Sequence, residues 1–134
     1  MDGLSLVHIV LDLFYEKDTT CGGDSLNLTC PETSYLHILA TFFGSSLHSR
    51  YIDTHVDKCG HDKAKLQDNC YSTSAHSKIK SACEGKTSCS KQVRSSNLGG
   101  DPCQFKQKYL DVLYKCVSNG KYMPLIFGCE KLID

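Results

Sequence analysis

The chain has 134 residues, the size of one domain with a core of its own. Fifteen Lys and Arg balance fifteen Asp and Glu, which excludes a generic nucleic-acid binder and an acidic tail. Nine cysteines imply disulfides in an oxidising compartment; zinc is disfavoured because no C-x-x-C pair exists, the tightest gap being Cys83 to Cys89.

In chain order, Leu4, Val7, Leu11 and Phe14 recur at helical spacing, so residues 4–15 read as an amphipathic lead-in helix. The same stretch is a poor signal peptide. It has no basic start, and His8 and Asp12 interrupt its apolar run, so the chain reads as a fragment of a longer protein. No apolar run approaches the ~20 residues of a membrane span. "DSLNLTC" alternates, with Leu26, Leu28 and Cys30 inward and Asn27 and Thr29 outward. Asn27-Leu28-Thr29 is also a glycosylation sequon, with Asn27 the acceptor. "YLHILATFFG" predicts a strand with Leu36, Ile38, Ala40 and Phe42 on one face, His37, Leu39, Thr41 and Phe43 on the other, and Gly44 at its end.

Residues 45–73 are mostly polar and read as long loops pinned through Cys59 and Cys70. "SAHSKIKSACEGK" predicts a helix burying Ala75, Ile79, Ala82 and Cys83, with Ser74 as N-cap and Gly85 as the left-handed residue past its end. "CSKQV" is a short strand, "SSNLGGDPC" a turn-rich loop, and "KYLDVLYKC" a last strand with Leu110, Val112, Tyr114 and Cys116 inward. The reading is an α+β fold: antiparallel strands and a packed helix, stapled by disulfides.

Charge is uneven along the chain. Residues 78–121 hold nine basic side chains against Glu84, Asp101 and Asp111, whereas residues 1–49 carry a net −5. Lys91, Arg94, Lys106 and Lys108 therefore stand as candidates for an anionic polysaccharide. No Ser-His-Asp spacing or carboxylate pair marks an enzyme. His37 and His76 read as structural or exposed, and no metal or cofactor is expected.

The cysteine order and its flanking words resemble the galactose/rhamnose-binding lectin domain of the sea-urchin egg lectin type. The carrying motifs are "CGGDSLNLTC", "ATFFGS", "CEGKTSC" and "DPCQFKQKYL", together spanning Cys21 to Cys116. Eight cysteines alone allow 105 pairings. The resemblance implies Cys21–Cys59, Cys30–Cys116, Cys70–Cys103 and Cys83–Cys89 on a small antiparallel sandwich with a packed helix. It places residues 1–20 as lead-in, 21–116 as the lectin-like domain, and 117–134 as a linker running into a second copy. "CEKLID" resembles that copy's opening and leaves Cys129 unpaired; an intermolecular bridge at Cys129 is the rival reading.

The lead-in and "LNLTCP" are similar to the first lectin domain of EVA-type guidance receptors. That likeness implies the ectodomain of a single-pass membrane protein, with Slit-like cues as partners. The family's sugar pocket maps here to Phe43, Asn97, Asp101 and Lys108. Four positions depart from the family. Gly22 replaces an acceptor Glu, Phe43 a Tyr, Ser45 an Arg, and Phe105 a Gly that leaves room for the ligand. The expectation is an altered pocket, with Phe105 filling the space.

Overall fold

The computed structural model describes residues 15–46, Cys59 and 66–118. The lead-in helix, Asn119 onward and Cys129 lie outside the described residues. Six strands are present among them: β1 (Glu16–Cys21), β2 (Ser25–Thr29), β3 (Ser34–Ser45), β4 (Cys70–Tyr71), β5 (Ser88–Gln92) and β6 (Tyr109–Ser118). Helix α1 (Ala75–Cys83) lies between β4 and β5, and a 3-10 turn at Ser95–Asn97 follows β5. One sheet runs β1-β6-β3-β4, and β2 and β5 form a separate ribbon. Every pairing is antiparallel.

β2 behaves as its alternation predicts. Leu26 and Leu28 are buried, whereas Ser25, Asn27 and Thr29 face solvent. In β3 the face assignment fails after Ile38. Register steps from Ile38↔Tyr114 to Ala40↔Leu113, so Leu39 is an extra, bulged residue. One extra residue transfers every later side chain to the other face. Phe43, not Phe42, therefore joins Leu36 and Ile38 in the core. Phe42 turns to the opposite face, with its ring centroid 5.5 Å from that of Tyr109 and 6.3 Å from that of Tyr71. The strand also runs through Gly44 to Ser45 rather than ending at the glycine.

α1 packs Ala75, Ile79 and Cys83 into the same core as Leu110 and Val112 of β6. Gly85 takes φ +77° past the helix end, as expected. Ser74 makes no side-chain cap; its backbone N–H instead donates to Ser72 Oγ at 3.3 Å. Beyond the helix, Glu84 reaches back to β3. Its Oε1 accepts from Ile38 N at 2.9 Å, and its Oε2 lies 2.8 Å from His37 Nδ1, on the two residues of β3 that immediately precede the bulge.

All four expected disulfides form: Cys21–Cys59, Cys30–Cys116, Cys70–Cys103 and Cys83–Cys89. β1 is the element that patterning missed. "EKDTTC" has no apolar alternation, yet it pairs along β6 from Glu16↔Tyr114 to Cys21↔Tyr109. Thr19 Oγ1 donates to the buried Asp111 Oδ1 at 2.7 Å, giving each of these buried polar groups a partner.

Candidate functional site

Three segments meet around the signature turn: the β1–β2 turn, the chain after β5, and residues 99–108 leading into β6. Gly22 N donates to Lys108 O at 3.1 Å, and Gly23 N donates to Val93 O at 2.9 Å. The Cys70–Cys103 bridge ties β4 to the same turn.

Asp101 organises the turn. Its Oδ1 accepts from Cys103 N at 3.0 Å and from Lys108 Nζ at 2.9 Å. Lys108 Nζ also donates to Lys106 O at 2.8 Å, and its side chain is only 11% exposed. The Lys108 hydrogen bond, helped by the Cys103 N–H and the Lys108 charge, outweighs desolvation and holds the Asp101 carboxyl below its ordinary range. The structure brings Asp101 and Lys108 together as an ion pair, each serving the other.

The other pocket positions separate. Asn97 donates through Nδ2 to Gln92 O at 3.0 Å, fixing the end of the 3-10 turn. Phe43 is 1% exposed and packs in the core, so its ring has no face to offer a ligand. Ser45 is fully buried, and its Oγ accepts from Gln67 N at 2.8 Å. At Gly22 a Cβ would stand 2.8 Å from Lys108 O, so the backbone has closed where the family carries its acceptor side chain. Phe105 does not fill the pocket. It is 95% exposed, at φ +64°. A left-handed backbone there accounts for a glycine at this position in the family.

The basic candidates divide in the same way. Arg94 is exposed just past β5, and Lys106 and Lys108 sit on the signature turn. Lys91 opens instead onto a groove beside the β2–β5 ribbon, with Lys86, Asn27, Thr29, Ser88 and Ser90. Sequence reasoning missed Lys86 in this role. It also missed Tyr71 and Thr73, which line a cleft with Ser72, Gly99, Gly100, Asp101 and Pro102. The implied Cys70–Cys103 bridge held the signal for these two, since it brings whatever follows Cys70 beside the Asp101 turn.

A profile of the D-galactoside/L-rhamnose binding SUEL lectin domain matches residues 28–116. The L-rhamnose-binding lectin ELEL-1 of Echinometra lucunter is 30% identical over 109 residues, covering 81% of this chain and 97% of that protein. The D-galactoside-specific lectin of Heliocidaris crassispina is 28% identical over 110 residues, covering 81% and 96%. Protein eva-1 homolog C of Homo sapiens is 29% identical over 103 residues, covering 74% of this chain and 21% of that protein. The chain therefore spans about a fifth of that relative's length.

Proposed function

The chain belongs to the D-galactoside/L-rhamnose binding SUEL lectin family, and from that premise we propose that it is an extracellular recognition module of a cell-surface receptor. It engages a protein guidance cue, heparan sulfate or both, in axon guidance or cell adhesion. The carrying observation is the Asp101–Lys108 pair at 2.9 Å, beside the 2.8 Å approach that closes Gly22. Together they leave the family pocket short of donors and acceptors for a free monosaccharide. Four disulfides suit an oxidising, extracellular setting. Arg94 and Lys106 border the same turn and supply positive charge toward a sulfated chain. Asn27 and Thr29 stand exposed on one face of β2, open to an N-glycan that would cover the groove holding Lys86 and Lys91.

The test is surface-immobilised heparan sulfate, at low and at physiological salt. Binding should fall steeply with salt and weaken on replacing Arg94 and Lys106 by Ser. Free galactose or rhamnose should not compete. The second reading is a true galactose- or rhamnose-binding lectin. Retention of Asn97, Asp101 and Lys108 favours it, as does the near-complete coverage of two relatives whose names specify those sugars. Salt-insensitive galactoside binding lost in Asn97→Ala or Lys108→Met would establish that reading instead.

A further inference from the structure

We propose that the groove beside the β2–β5 ribbon binds a short sulfated segment of a glycosaminoglycan, held by Lys86 and Lys91, and is closed to it when Asn27 carries an N-glycan. The inference rests on the heparan sulfate reading and goes beyond it. It names a second site, one that shares no residue with the signature turn.

The groove measures about 540 Å³ and is open to solvent. That lies inside the ~300–1,000 Å³ range of small-ligand sites, so it suits a short segment rather than a whole chain. Lys86 and Lys91 supply its charge, and among the described residues no carboxylate lines it. Neither lysine forms an ion pair among those residues, unlike Lys108 on Asp101. The fold holds both in place. Lys86 sits inside the loop closed by Cys83–Cys89; its N donates to Cys83 O at 3.1 Å and its O accepts from Leu36 N at 2.7 Å. Lys91 stands opposite Leu26 in the ribbon and is half-buried, so its stem has less freedom to lose on binding.

The rest of the lining suits a sulfated sugar better than an acidic peptide. A sulfate only accepts hydrogen bonds, and a lysine ammonium only donates. Thr29, Ser88 and Ser90 add exposed hydroxyls that make no side-chain hydrogen bond among the described residues. Hydroxyls both donate and accept, so they serve sulfate oxygens and sugar hydroxyls alike. Ala82 and Cys89 are the only apolar residues among those that line the groove, too little to bury the side chains of a peptide. Lys91 also lies three residues before Arg94, about 10 Å along extended chain, so a polysaccharide held at Arg94 has the reach to continue into the groove. Asn27 borders the same groove and heads the sequon. A glycan attached there occupies the space that the sulfated segment needs.

The experiment takes 15N-labelled protein from a bacterial periplasm, where disulfides form and no N-glycan is added. It is titrated with a heparan sulfate tetrasaccharide and with the desulfated tetrasaccharide, followed by amide NMR. Only the sulfated probe should bind, more weakly as salt rises, with shifts centred on Asn27–Thr29 and Lys86–Lys91. Lys86→Ser combined with Lys91→Ser should weaken binding roughly tenfold, the lower end for a lost charge-assisted hydrogen bond. Arg at both positions should bind as the parent does. Protein from animal cells, with Asn27 occupancy confirmed by mass, should lose the groove shifts; their persistence would overturn the closure by the glycan. Shifts confined to Arg94 and Lys106–Lys108, unaffected by the double Ser variant, would overturn the groove and leave the heparan sulfate reading standing. Equal binding of the desulfated probe, or of a polyglutamate peptide, would overturn the assignment to a sulfated sugar. No binding of the sulfated probe at any site would overturn both the groove and the heparan sulfate reading.

Discussion

Replacing Phe105 by Gly should stabilise the domain without creating a galactose site. Phe105 holds φ +64° in the turn before β6, and its ring is 95% exposed. The side chain therefore gains almost nothing from burial, while its Cβ opposes the left-handed backbone. A non-glycine residue pays about 1–2 kcal/mol for that conformation. Glycine gives back about 0.4–1 kcal/mol through the freedom it adds to the unfolded chain. The net gain is roughly 0.7 kcal/mol, a rise of about 2–4 °C in Tm for a domain of this size. The assay is calorimetry or urea unfolding under non-reducing conditions, with Phe105→Ala as control. Alanine keeps the Cβ and should stay within about 0.5 kcal/mol of the parent. Equal stability of the Gly and Ala variants would refute the strain argument. New galactose affinity in the Gly variant would refute the finding that the ring lies outside the pocket.

Gly22→Glu restores the family's acceptor on paper, but its Cβ would press on Lys108 O at 2.8 Å. It should cost about 1–3 kcal/mol in urea unfolding, as overpacking does, and add no galactose binding; parent-like stability with measurable galactose affinity would show that the pocket can be rebuilt. Glu84 should give acid sensitivity. Burial pulls its pKa up, but the His37 and Ile38 hydrogen bonds and the charges of His37 and Lys80 together bring it below its usual 4.5. A carboxyl with a depressed folded pKa stabilises the fold above the unfolded value, and loses that contribution as pH falls through the folded one. Unfolding free energy measured from pH 6 down to 3 should therefore drop more steeply in the parent than in Glu84→Gln; parallel curves would contradict the assignment.

Legibility in the sequence followed physical pattern. β2 and β6 were readable because one face of each is apolar and the spacing is regular. α1 was readable from Ala75, Ile79 and Cys83. The disulfides were readable only through the family likeness, since spacing alone leaves every pairing open. β1 was hidden because its buried side chains are the polar Thr19 and Thr20: Thr19 bonds Asp111 far along the chain, and Thr20 bonds Asp18 within the strand itself. Within β3, Leu39 broke the phase. A bulge leaves no signature in a run where both faces are apolar, and so Phe43 was assigned to the wrong side. The pocket assignments failed for a related reason. A residue's type says what it can bond, whereas Phe43 and Ser45 are settled by which way the strand presents them.

The retained polar residues carry a general point about reading such domains. Asp101 and Lys108 would each count as a sugar contact when mapped singly onto the family pocket. In the folded chain they close on each other, and Cys103 N and Lys106 O take up further bonding capacity. Their presence is then explained by the turn itself, which must hold its shape between Cys103 and β6.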